Sequence, residues 1–448
     1  MSTTQPSGGN AHIAAISSMS PEDQARTARR AATAALVGTA MEWYDFFLFS
    51  TAAAIVFNIH FFASDDKVTA LLASFGTMAV GFVARPIGGI IFGHLADKAG
   101  RKLVLIVTVT AIGIATGLIG ILPTFATIGV WAPTLLIVLR IVQGLAVGGE
   151  WGSAVTAAVE SAPPEKRARY AVMPQVGSPI GTILSSGAFF IIGVLLPPES
   201  FEAWGWRIPF LAAIPLLLIA LFIRKHLDET PEFQKLIAEG EKESVPFFKL
   251  LVEAPLGIIV GFMTTLLGVA GFFVVTTFAV SYGKNFLGLP ANLMLAATMV
   301  GAAMQIVVMI LYGRVGEKIG SARASMIGGL LTIAFAFPMF WMIETKSAVL
   351  VICGVAAGIT IVSLSYSVNG SLITALFKPE YRTSGVSLCS NLAAIVAGFM
   401  PMLATLFLGV VDGAWWPAPL MLMTLAAITA VGSALAPKVS LQIEGYRH

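Results

Sequence analysis

Leu36 to Phe49 reads LVGTAMEWYDFFLF and places two carboxylates, Glu42 and Asp45, inside a hydrophobic run long enough to cross a bilayer. An acidic side chain near the bilayer centre costs on the order of 2.5–3.5 kcal/mol on insertion scales, so a chain that keeps two has a use or a partner for them. Three residues apart, they share one helical face. Two carboxylates crowded away from water do not both hold their charge cheaply. That makes the pair a candidate proton carrier; the structural alternative is a pair neutralised by a neighbouring arginine.

The rest of the chain is built to the same plan. Its 448 residues are 57% hydrophobic and only 11% charged, which excludes an ordinary soluble domain. A helix of about 20 apolar residues crosses the hydrocarbon core. Twelve candidate spans can be counted, near 33–58, 70–96, 103–122, 133–158, 170–196, 206–223, 256–281, 292–313, 324–343, 348–375, 384–408 and 415–436. The expected organisation is a disordered cytoplasmic tail (1–32), a six-helix bundle (33–223), a cytoplasmic linker rich in charge (224–254), a second six-helix bundle (255–436) and a short cytoplasmic tail (437–448). The first span is too long for a signal-peptide core.

With the N-terminus inside, only Lys67, Arg207, Lys284 and Lys346 of the 27 basic residues fall outside, and only Arg85 and Arg140 lie within spans. By the positive-inside rule both termini are cytoplasmic. The net charge of +3 therefore reports topology, and nothing in it suggests nucleic acid. Cys353 and Cys389 read as packing residues, and the five scattered histidines offer no metal cluster. No phosphate-binding loop and no nucleophile–base set is visible, so neither an enzyme nor a cofactor is expected.

An internal repeat supports the two-bundle reading. GHLADKAGRK, Gly93 to Lys102, follows the second span, and GRVGEKIGSAR, Gly313 to Arg323, follows the eighth. At an offset of 220, Gly93, Asp97, Lys98 and Gly100 fall on Gly313, Glu317, Lys318 and Gly320, while Arg101 falls on Ser321. PEKR at Pro164 to Arg167 and PEYR at Pro379 to Arg382 repeat at an offset of 215. Two six-span halves that both start from the cytoplasm make a parallel repeat.

With RIVQG at Arg140 to Gly144, the GHLADKAGRK turn and the six-plus-six repeat resemble the major facilitator superfamily. EWYDFFLF in the first span, VARPIGG at Val83 to Gly89, GGEWGSA at Gly148 to Ala154, WGWRIPF at Trp204 to Phe210 and ETPEF at Glu229 to Phe233 resemble, more narrowly, the metabolite:proton symporter family. These motifs in order, within a resemblance from about residue 30 to 436, carry the likeness. It implies an all-α membrane fold of two six-helix bundles. It also implies proton-coupled carriage of a small metabolite such as shikimate, α-ketoglutarate, citrate, or proline and betaine.

At 1.5 Å per residue, Glu42 and Asp45 lie about 14 and 18 Å from the cytoplasmic entry, and Arg140 roughly 10 Å from the outer one. Arg140 is the obvious counter-charge. Gln143 and Gly144 share its face, the first to hydrogen-bond and the second to let helices approach. The family resemblance implies that the first and fourth spans face each other across a central cavity, so that protonation of Asp45 or Glu42 releases Arg140 toward substrate. The rival is that Arg140 merely joins two helices.

The resemblance also implies a cytoplasmic gate of Asp97, Arg101, Glu160 and Glu229, with Glu160 bridging the basic turn. Glu150 reads equally as gate or second titrating site, and Arg85 as gate before substrate contact. Candidate substrate contacts are Arg140 and Gln143 in the first half and Gln305, Tyr366, Asn369 and Asn391 in the second. Each neutral group serves equally well as interhelical glue. Tyr282 and Lys284 sit near outer ends. Trp43, Tyr44, Trp151 and Phe272 are cavity candidates whose default is packing.

The expected protein is a monomeric inner (plasma) membrane carrier whose coupling ion is the proton and whose surroundings are lipid. One cation and neutral partners favour a monoanion such as shikimate or a keto acid. Zwitterion uptake, proton-coupled efflux suggested by GSPIG at Gly177 to Gly181, and a non-transporting sensor are the alternatives.

Overall fold

The computed structural model describes residues 21–62, 64–99, 101–148, 167–215, 218, 247–378 and 381–440. The first helix, α1, runs Pro21–Ala52 and continues through a π-helical turn, Ala53–Phe57, to His60. It begins inside the stretch expected to be a disordered tail, which corrects that expectation for residues 21–32. Pro21 suits a first helical position, Glu22 and Asp23 favour the positive end of the helix, and the Ala- and Arg-rich run that follows has high helix propensity.

The remaining long helices are α2 (Lys67–Ala99), α3 (Arg101–Ile121), α4 (Trp131–Val147) and α5 (Arg167–Leu195), followed by the start of α6 (Ile208–Leu211). The second half contains α7 (Pro255–Asn285), α8 (Ala291–Ile319), α9 (Ser321–Glu344), α10 (Ala348–Thr374), α11 (Arg382–Val410) and α12 (Pro417–Ser440). Among the described residues, nine helices are long and apolar enough to cross a membrane, and Ile106–Ile121 and Trp131–Val147 add two shorter apolar segments. A short helix, Phe247–Glu253, closes the expected linker, and α12 carries on to Ser440, past the expected end of the last span.

The packing repeats between the halves. In the first, α1 lies on α5, α2 on α4, α3 on α4 and α6 on α3; in the second, α7 lies on α11, α8 on α10, α9 on α10 and α12 on α9. The halves meet through α2 against α11 and α5 against α8, the two contacts that the repeat exchanges. The parallel repeat is thus a property of the fold as well as of the two turn motifs.

Polarity runs opposite to that of a soluble protein. Ile87, Ile90 and Ile91 of α2 and Ile114, Leu118 and Ile121 of α3 are exposed, whereas Asp45, Arg140, Gln143, Gln175 and Gln305 are buried. With lipid outside, apolar side chains gain nothing by hiding, and polar ones must be paired inside.

Small residues set the closest seams. A Cβ on Gly144 of α4 would lie 2.1 Å from the Gly81 carbonyl oxygen of α2, and one on Gly181 of α5 would lie 2.7 Å from the Tyr44 nitrogen of α1. The second contact gives GSPIG a packing role. Within WGWRIPF, Arg207 Nη1 donates to the Leu122 carbonyl at 2.7 Å and the Gly120 carbonyl at 3.2 Å, capping the end of α3.

Candidate functional site

Four charged side chains sit in the first bundle as two pairs. Glu42 Oε1 accepts from Arg85 Nη2 at 2.8 Å, and Asp45 Oδ2 faces Arg140 Nη1 at 3.8 Å. The sequence suggested one arginine for both acids; the structure gives each its own. Position along the helices accounts for the match, because Glu42 lies nearer the start of α1 than Asp45 and Arg85 lies past the midpoint of α2. Phe46 is sandwiched between the two guanidinium groups, 4.9 Å from Arg85 and 4.6 Å from Arg140, and Phe49 adds a ring 4.3 Å from Arg140.

The two pairs differ in kind. Glu42–Arg85 is a direct charge-assisted hydrogen bond. Asp45–Arg140 is a looser contact, and Asp45 Oδ2 accepts no hydrogen bond from the described residues. The other oxygen, Oδ1, accepts from Gln143 Nε2 at 2.9 Å and from the Thr116 hydroxyl. Gln143 Nε2 also reaches Thr116 Oγ1 at 2.8 Å, and Gln143 Oε1 accepts from Arg140 Nη1 at 3.2 Å. Arg140 and Gln143 are fully buried, and Arg140 Nε and Nη2 have no hydrogen-bond partner among the described residues. The carboxylate is therefore held by α3 and α4 together, through one loose ion pair and two donors. Thr116 was missed by the sequence reading, since it is one of three threonines, with Thr108 and Thr110, in the third span and nothing in the sequence sets it apart.

A cleft between the bundles lies on the other side of α1. Phe47, Ser50, Thr51 and Ala54 of α1 line it with Thr182 and Ser186 of α5, Thr276, Thr277 and Val280 of α7, and Thr298 of α8. In this conformation it encloses about 10 Å³, the space of at most one water. Neither Asp45 nor Arg140 lines it. The hydroxyls escaped the sequence reading because isolated Ser and Thr are common in membrane helices; the available signal was spacing, with Thr182 and Ser186 four apart on one face.

Side-chain bridges join the halves above and below. At one end Lys284 Nζ donates to the Ile55 carbonyl at 2.5 Å, Asn285 Nδ2 to Ala54 at 2.9 Å, and Lys67 Nζ to Asn285 at 2.7 Å. At the other Gln175 Nε2 donates to the Tyr366 carbonyl at 3.1 Å and Asn391 Nδ2 to Gly148 at 3.0 Å. Bridges between the halves thus flank the cleft.

The other predicted residues divide clearly. The Tyr44 hydroxyl donates to the Pro209 carbonyl at 2.9 Å and ties α1 to α6. Asn369 pairs with Thr265 and Asn391 with Gly148, as interhelical bonds. Phe272 packs on Phe47, which stacks on Trp43. Gln305 is fully buried and neither amide atom has a hydrogen-bond partner among the described residues, so it retains donor and acceptor for a ligand or an altered packing. Arg85, expected at the gate, is in the buried pair with Glu42. Trp151, Glu150, Glu160 and Glu229 lie outside the described residues, as do the side chains of Asp97 and Arg101.

A duplicated bundle of membrane-length helices with buried charges and a cleft between its halves defines a polytopic carrier. Comparison with known proteins agrees. The description of the Major Facilitator Superfamily matches residues 35–369, and this chain belongs to that superfamily. The shikimate transporter of Escherichia coli (strain K12) is 37% identical over 415 residues, covering 91% of this chain and 94% of the transporter. The proline/betaine transporter of Salmonella typhimurium (strain LT2) is 31% identical over 394 residues, covering 84% and 77%. The structure of a proton:xylose symporter bound to 6-bromo-6-deoxy-D-glucose superposes with a TM-score of 0.71 at 15% identity, covering 93% of this chain and 96% of that one. The protein is a metabolite transporter of the bacterial multi-pass type and not an enzyme.

Proposed function

We propose that this carrier takes up a small organic acid, of the shikimate or keto-acid type, together with protons by alternating access across the inner membrane, with both termini cytoplasmic. The observation that carries the reading is Asp45, a buried carboxylate held by groups from two neighbouring helices. When Asp45 takes a proton, Arg140 loses its counter-charge and Gln143 and Thr116 lose a charged acceptor. The hold of α3 and α4 on α1 then weakens. The opposite face of α1 carries Phe47, Ser50, Thr51 and Ala54 into the cleft, so freeing the helix reshapes the space between the bundles. Proton and solute are coupled through one helix.

An inward-negative potential of 100 mV contributes about 2.3 kcal/mol per charge, or roughly 40-fold accumulation per net charge moved. The relatives' names favour the acid, and the proline/betaine relatives favour a zwitterion as second reading. The test is uptake of labelled shikimate, 2-oxoglutarate, proline and glycine betaine into proteoliposomes with an acid exterior. Shikimate or the keto acid is expected to accumulate above its outside concentration and to collapse back with a protonophore. Accumulation of betaine alone would replace the acid reading. Accumulation driven only by an acid interior would mark an exporter.

A further inference from the structure

Lys284 has no role in the coupling scheme. It sits one turn above Val280, a cleft residue, on the outer end of α7. Its ammonium is fixed on the Ile55 carbonyl, and the adjoining Ala54 lines the cleft. The charge therefore stands at the outer rim of a chamber otherwise lined by hydroxyls and apolar groups.

A second circumstance makes the position notable. Arg85 and Arg140 in the first bundle each face a carboxylate, Glu42 and Asp45. Lys284 has no carboxylate within ion-pair distance among the described residues; Lys67 and Glu202 are its charged neighbours at longer range. Its acceptor is a carbonyl in the π-helical turn of α1, a weaker partner for an ammonium than an anion would be. A cation held on a neutral acceptor beside a polar cleft is ready to change partners.

We infer that the hydroxyl cleft and Lys284 form one site for a hydroxylated monocarboxylate. The carboxylate meets the ammonium at the outer rim, and the ligand's hydroxyls meet Ser50, Thr51, Thr276 and Thr277. Binding draws the ammonium from Ile55, so the same event that neutralises the ligand loosens an outer bridge between α1 and α7. The site takes an anion with hydroxyls and disfavours a zwitterion, whose own cation would face Lys284.

The inference rests on the organic-acid reading of the transported solute, and the test separates the two. Exchange of labelled shikimate at equal pH on both sides is competed with unlabelled shikimate, its neutral carboxamide and glycine betaine, in wild type, Lys284→Gln and Lys284→Arg. Wild type is expected to prefer the acid over the amide. Lys284→Gln is expected to raise the KM for shikimate by about 10- to 100-fold and to abolish the acid preference, with Lys284→Arg restoring most of it. Wild-type exchange without acid preference, or a Lys284→Gln variant that keeps it, overturns the site alone. Exchange of betaine but not shikimate by wild type overturns both the acid substrate and the site.

Discussion

Thr116 and Gln143 decide what Asp45 does, because a carboxylate that accepts two hydrogen bonds and faces a guanidinium 3.8 Å away is stabilised in its charged form by three separate groups. Thr116→Val removes one of these donors and should change the pH dependence of uptake. The pH profile of shikimate uptake measures this, and an unmoved profile would show that Asp45 is not the titrating group. Reading charged residues along the sequence found all four members of the two ion pairs. It did not assign the partners, since side-chain pairing depends on which faces α1, α2 and α4 turn to one another. It also passed over Thr116, whose hydroxyl gains meaning only once Asp45 stands beside it.

At the level of helices, the α2–α4 seam places Arg140. A Cβ on Gly81 would lie 2.4 Å from Arg140 Nε, and one on Gly144 would strike the Gly81 carbonyl oxygen. The arginine thus lies along a groove that glycine leaves open. Gly144→Leu should part the seam, displace Arg140 and cost about 1–3 kcal/mol, seen as a lower melting temperature in detergent. Leu135→Ala, on the exposed face of α4, should leave the melting temperature almost unchanged. Equal losses in the two variants would contradict the seam. The existence of the spans was plain from hydropathy, since runs of apolar residues separated by charged turns have little alternative in lipid. The start of α1 was not, because Pro21 to Ala35 is too polar to register as a span and becomes legible only through its helix-start signals. The π-helical turns at Ala53–Phe57, Leu267–Gly271 and Val274–Phe278 left no sequence signature. They fall on α1 and α7, the helices that carry both the cleft and its outer bridges, and such turns are frequent at functional sites.

For the molecule as a whole, the repeat divides the labour. The first bundle contains the buried pairs Glu42–Arg85 and Asp45–Arg140, and the second contributes Thr276, Thr277 and Thr298 to the cleft and Lys284 beside it. Two turn motifs were enough to reveal the duplication from sequence, because each joins a corresponding pair of helices. The cleft was not legible in this way, as its ten lining residues come from four helices in both halves. Bridges between the halves flank the cleft at both ends, so widening it at either end breaks one set of them. The central claim is that Asp45 links proton movement to that cycle. It is tested most directly by Asp45→Asn in proteoliposomes, measuring pH-driven shikimate accumulation and shikimate exchange at equal pH in the same preparation. Accumulation is predicted to fall to the outside concentration while exchange persists; a variant that still accumulates shikimate against its gradient would contradict the account.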